Sequence, residues 1–107
     1  WWGADREGVR PDVLLVGKGL SGGVVPVAAM VSTARAYRPF GDDPFLHTST
    51  FAGSPIAAAA ATAAVTAIRD EGLVERARVL GDRALRDLAA ALAAAGDLVR
   101  EVRGAGL

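Results

Sequence analysis

Of the twelve basic side chains in this 107-residue chain, one is lysine, Lys18, and the rest are arginine. The two cations differ in what they can do. Arginine stays protonated and does not act as an amine nucleophile. Lysine can shed its proton and attack a carbonyl carbon to form a Schiff base. Lys18 sits in Gly17-Lys-Gly-Leu-Ser-Gly-Gly23, directly after the apolar run Val13–Val16. A lysine at the exit of a buried strand is partly desolvated, which favours the neutral amine. Its glycine neighbours let a flat ligand approach the backbone. The segment is not a phosphate-binding P-loop, in which glycines precede the lysine and Ser or Thr follows it at once.

A second segment, His47-Thr-Ser-Thr-Phe-Ala-Gly-Ser-Pro55, places three hydroxyls in a row just ahead of a helix start. Two readings stand side by side. Thr48, Ser49 and Thr50 can grip a phosphate, because hydroxyls and backbone N–H groups donate to it and a helix N-terminus adds a favourable dipole. They also suit an ordinary loop leading into a helix cap. A loop histidine such as His47 is more often structural than catalytic.

The elements that position these segments follow from local pattern. Val13–Val16 comes after a Pro-Asp turn signal and ends at glycine, which predicts a strand buried on both faces of a parallel sheet. Val24–Ser32 predicts a second strand, interrupted early by Pro26. Thr33–Tyr37 is long enough for one helical turn. Arg38–Ser49, with Pro39, Gly41 and Pro44, reads as a long surface loop. Ser54 as N-cap and Pro55 at the first helical position open a helix over Ile56–Glu71, closed by Gly72. Leu73–Ala95 carries small or apolar residues at 73, 77, 80, 84, 88, 91 and 95, one stripe of a helix. Glu75, Arg78, Asp82 and Arg86 fall opposite, as a solvated, internally paired face. Gly81 interrupts the pattern and Gly96 ends it. Leu98–Leu107 reads as the beginning of a further strand.

Composition bounds the function. Half of the residues are hydrophobic, enough for one small domain with a core, and the formal net charge is zero. That balance offers no electrostatic footprint for nucleic acid or an anionic membrane. Ile56–Ile68 is too short and too rich in alanine for a membrane span. No cysteine is present, which removes disulfides and thiolate metal sites and fits a reducing, cytoplasmic setting. No metal site is expected. The opening Trp-Trp-Gly-Ala-Asp-Arg has no signal-peptide pattern, and both ends read as cuts within a larger fold.

Taken together, Pro-Asp before an apolar run, Gly-Lys-Gly-Leu-Ser-Gly-Gly, and His-Thr-Ser-Thr-Phe-Ala-Gly-Ser-Pro before an alanine-rich helix resemble the class III aminotransferases. These are fold type I, pyridoxal-phosphate-dependent enzymes of α/β class. The stretch Phe40-Gly-Asp-Asp-Pro-Phe-Leu-His-Thr-Ser-Thr-Phe51 is most similar to the putrescine, diamine and ornithine-like branch. The resemblance runs from about Gly8 to Leu107.

The resemblance implies that Lys18 holds the cofactor as an internal aldimine and shuttles a proton between substrate and cofactor. It implies that Thr50, with Ser49 beside it, reaches the cofactor phosphate of the neighbouring subunit, so that a homodimer shares its active sites. Where the family commonly has Gly-Gly-Asn-Pro, this chain has Ala52-Gly53-Ser54-Pro55. Ser54 keeps a capping group; the Asn amide has no counterpart. The family's aspartate for the pyridine nitrogen, its phosphate loop and its stacking aromatic precede the segment matching Trp1, and its substrate-carboxylate arginine follows Leu107. The resemblance therefore implies an internal fragment: residues 1–71 from the end of the cofactor-binding large domain, 72–107 the connecting helix and first strand of the small domain. The expected activity is amino transfer between an amine or amino acid and a keto acid or aldehyde. An aminomutase or decarboxylase on the same fold, or a non-catalytic truncated piece, are the alternatives.

Overall fold

A computed structural model describes all 107 residues, Trp1–Leu107. The chain divides into two compact units, Trp1–Ala67 and Ile68–Leu107. Its elements in order are α1 (Gly3–Arg6), β1 (Val13–Val16), a 3-10 turn (Lys18–Ser21), β2 (Ala29–Ser32), α2 (Ala34–Asp42), a 3-10 turn (Pro44–Leu46), α3 (Pro55–Asp70), α4 (Leu73–Leu92) and a last 3-10 turn (Ala93–Ala95).

In the first unit, β1 and β2 form a two-stranded antiparallel ribbon in which Val13 faces Ser32 and Val16 faces Ala29. The α/β character expected from sequence holds, but the parallel pairing does not apply to these two strands. Parallel neighbours need a crossover, usually a helix, whereas residues 17–28 hold a 3-10 turn, a left-handed glycine turn and irregular chain but no α-helix, so the chain doubles back. Nor is either strand buried on both faces. Leu15 is 77% exposed and Val31 59%. The second strand is shorter than its apolar run, beginning only at Ala29, because Pro26 brings no N–H to a ladder.

Thr33 starts α2 by accepting the Ala36 N–H on its hydroxyl at 3.3 Å. The helix then runs on through Pro39 to Asp42, into what the sequence suggested was loop. A tilted stack of Tyr37 on Phe40, centroids 5.4 Å apart, accompanies that extension. In α3, Pro55 occupies the first position as expected. The group that takes the first helical N–H, from Ala58 at 2.9 Å, is the Ser54 carbonyl.

Gly72, at φ +62°, donates its N–H to the Arg69 carbonyl and so closes α3. Its own carbonyl accepts the Arg76 N–H and opens α4. On α4 the expected charged face is paired. Arg78 donates twice to Glu75 (2.7 and 2.9 Å) and once to Asp82 (3.0 Å). The Arg78 guanidinium holds the Glu75 carboxyl below its usual value. The buried line of α4 differs from the sequence expectation. Leu73, Ala77, Ala84 and Leu85 are half-buried around Gly81, which alone is buried, while Leu88 is exposed. A Cβ on Gly81 would overlap the Gly106 carbonyl and lie 2.7 Å from its Cα. Residues 99–107 adopt no regular structure, so the strand expected there is not formed. A strand needs a neighbour to pair with, and this segment has none among the residues described.

No hydrophobic side chain is buried in either unit, and the accessible surface is 8837 Å². Separate globules with the masses of the two units would together expose only about 6,700 Å². The chain thus exposes about 2,000 Å² more surface than that, an excess on the scale of a large interface, and many large apolar side chains are among the exposed residues. No helix is long and apolar enough to cross a membrane.

Candidate functional site

Lys18 opens the 3-10 turn that leaves β1. It is the one non-glycine residue with positive φ, at +49°. A side chain in that region costs about 1–3 kcal/mol of backbone strain, and residues so held cluster at functional sites. The structure therefore singles out the same residue that composition does, by an independent route. Its side chain is exposed, in contrast to the partial desolvation expected at the exit of a covered strand. The difference has the same origin as the open ribbon: no residue of β1 or β2 is buried in this chain.

The turn is closed around Lys18 from both sides. Leu20 N–H donates to the Gly17 carbonyl at 3.1 Å, and Gly22 N–H to the Gly19 carbonyl at 2.9 Å. Gly22 and Gly23 take φ values of +64° and +83°, which only glycine adopts without strain. A Cβ on Gly22 would meet Ala64 of α3 at 3.7 Å, so α3 backs the turn; a Cβ on Gly19 would meet nothing. Ser21 is the only buried polar residue, 2% exposed. Its hydroxyl donates to the Val25 carbonyl and accepts the Val25 N–H.

Ser49 and Thr50 lie in the exposed stretch between the Pro44–Leu46 turn and α3. The Ser49 carbonyl accepts the Ala52 N–H at 3.0 Å, and neither the Ser49 nor the Thr50 hydroxyl has a protein hydrogen-bond partner. His47 tilts against Phe40, ring centroids 5.8 Å apart, and thereby ties this stretch to α2. No hydrogen bond links Lys18 to Ser49 or Thr50, so the two predicted parts are not joined within this chain. No cluster of His, Cys, Asp or Glu could hold a metal ion.

Two residues with positioning roles were not singled out from sequence. Asp12, read only as part of a turn, accepts two 2.9 Å bonds from Arg35 and one from the Thr33 hydroxyl, and its carbonyl accepts the Thr33 N–H. It fixes the start of β1 to the start of α2. Ser21 was the other. A serine among glycines is the available signal, but nothing in the order of residues says that its hydroxyl turns inward.

The family model for class III aminotransferases matches residues 1–107, the whole chain. The chain belongs to the class III aminotransferases. Among similar solved structures is the ornithine aminotransferase of Toxoplasma gondii, with 41% identity and a TM-score of 0.89 over 97% of this chain and 24% of that one. In that protein pyridoxal phosphate partly occupies the active site. The acetylornithine aminotransferase of Elizabethkingia anophelis has 40% identity and a TM-score of 0.79, over 97% of this chain and 26% of that one. A thermostable omega transaminase engineered for synthesis of bulky amines has 31% identity and a TM-score of 0.87, over 99% of this chain and 24% of that one. This member of the family thus spans about a quarter of the length of the structures it matches.

The residues present fit a pyridoxal-phosphate site in kind. They supply one primary amine on a strained, glycine-flanked turn, open space over Gly19, and two unengaged hydroxyls ahead of a helix.

Proposed function

We propose that this chain is the lysine-bearing part of a pyridoxal-phosphate-dependent aminotransferase that moves an amino group between an amine or amino acid and a keto acid or aldehyde. The observation that carries the reading is the sole lysine, held at φ +49° at a strand exit, in a chain that matches the class III family from end to end. Bound pyridoxal phosphate supplies an electron sink for a carbanion at the substrate carbon. Lys18 would hold the cofactor through Nζ, the one side-chain primary amine in this chain and the group able to bond to the cofactor aldehyde. Nζ would also carry a proton to and from the substrate carbon. Ser49 and Thr50 would donate to the phosphate held by a second copy of the protein, so the complete site is a dimer's. Residues 1–71 would close the cofactor-binding domain and 72–107 lead into the small domain. A cytoplasmic location belongs to the same reading.

Borohydride reduction of the complete cofactor-loaded protein, followed by peptide mapping, tests the assignment. The pyridoxyl label is expected on Lys18, and Lys18→Arg is expected to bind cofactor without acquiring it. A label on a lysine outside residues 17–23 overturns the assignment.

A further inference from the structure

We infer that Ser21 is a positioning residue for Lys18: its buried hydroxyl locks the turn that holds the lysine backbone in the left-handed region. The inference rests on Lys18 being the cofactor-bearing lysine and adds a residue that acts through it.

Lys18 at φ +49° does not hold itself there, because an unrestrained lysine returns to negative φ. The restraint must come from the turn. On the near side, the Leu20-to-Gly17 bond spans Lys18. On the far side, the chain from Gly22 to Val24 passes through two left-handed glycines, and such a segment is conformationally loose unless anchored. The anchor is Ser21, which offers one hydroxyl to both polar groups of the Val25 backbone. Val24 N–H adds a 3.3 Å bond to the Ser21 carbonyl. Ser21 is also the one polar side chain in the molecule withdrawn from water, at 2% exposure. A buried hydroxyl satisfied by main chain on both sides defines geometry rather than solubility. Removing it leaves the N–H and C=O of Val25 without these partners, and the turn reopens to satisfy them. The Lys18 backbone is then released, and Nζ no longer meets the cofactor aldehyde at the required angle.

The test is made on the complete protein, freed of cofactor and then mixed with pyridoxal phosphate. Borohydride quenching at successive times gives the rate at which label accumulates on Lys18. Thermal unfolding of the cofactor-free protein is measured in parallel. Ser21→Ala is expected to slow labelling of Lys18 roughly ten- to hundredfold, the scale on which small misplacements act. Ser21→Cys, close in size but a weaker donor with longer bonds, is expected to fall between Ala and the unaltered protein. It also serves if the alanine variant does not fold. The inference is overturned if either folded variant labels Lys18 at the unaltered rate, whether or not its unfolding temperature drops, since Ser21 would then be structural only. Failure of the unaltered protein to label Lys18 at all overturns the parent assignment instead.

Discussion

Replacing Gly81 with alanine sets two known effects against each other. Alanine in a helix interior is favoured over glycine by about 1 kcal/mol. Against this, the new Cβ would overlap the Gly106 carbonyl and sit 2.7 Å from its Cα. Restoring ordinary contact with the nearest atom, the Gly106 carbonyl oxygen, means moving that main chain by about an ångström or more, and forcing an extra carbon into a filled site costs about 1–3 kcal/mol. The obstacle is backbone at a left-handed glycine, φ +67°, not the end of a flexible side chain, so the cost falls in the upper part of that range. The net expectation is a loss of about 1–2 kcal/mol. Gly41, inside α2, is the control, because a Cβ there meets nothing within 4 Å. The same substitution at Gly41 is expected to stabilise by up to about 1 kcal/mol. Urea unfolding of the two variants of the complete protein, compared by midpoint and slope, reads both effects. If Gly81→Ala stabilises as Gly41→Ala does, the close approach of residue 106 to α4 is refuted.

The Glu75–Arg78 pair of α4 titrates with a definite sign. The folded-state pKa of Glu75 is lowered by its bond from Arg78, so its contribution is present above the ordinary glutamate value of about 4.3 and is lost as pH falls through the lower folded value. Circular dichroism of a peptide spanning Leu73–Leu92 should lose helix on acidification, with Glu75→Gln showing a smaller loss and added salt reducing the difference. An unchanged acid transition in Glu75→Gln would refute the pairing. For Thr50, a hydrogen bond to a charged group contributes roughly 1.5–3 kcal/mol, so Thr50→Ala should weaken cofactor binding by about one to two decades while Lys18 is still labelled. A heterodimer of one Lys18→Ala chain and one Thr50→Ala chain should regain about half of the unaltered activity, because one of its two sites carries neither lesion. Mixtures that remain as weak as the Thr50→Ala homodimer would show that Thr50 does not serve the opposite subunit.

The chemistry of the candidate lysine is legible in the sequence; the architecture around it is less so. Lys18 stands out because one residue type carries chemistry that eleven arginines cannot supply, and its glycine flanks already imply an unusual backbone. The extent of β1 was legible for a similar reason, since Pro11-Asp12 and Gly17 bracket an apolar run. Strand direction was not, because an apolar run records burial and says nothing of which way its neighbour points. The extension of α2 was hidden by Pro39 and Gly41, which read locally as breakers; the Tyr37–Phe40–His47 stack is tertiary and invisible to that reading. By sequence pattern Gly81 is a blemish in the α4 stripe. It is a buried point where the helix lies against the Gly106 backbone, and only distance in space, not in sequence, reveals that.

The open surface bears on how such a protein comes into being. At ordinary rates of synthesis, 107 residues take roughly 5–20 seconds to appear. During that interval neither unit can bury an apolar side chain by its own means, and Leu15, Phe45, Phe51 and Ile56 all face outward. The lysine turn, though closed by its own hydrogen bonds, must wait for covering surfaces before it is secure. A nascent chain in that condition is a natural client for chaperones, and an easy target for proteases if covering is slow. Substitutions on the faces of β1, β2 and α3 would therefore register first as reduced abundance in the cell, with the molecules that do mature turning over at their normal rate.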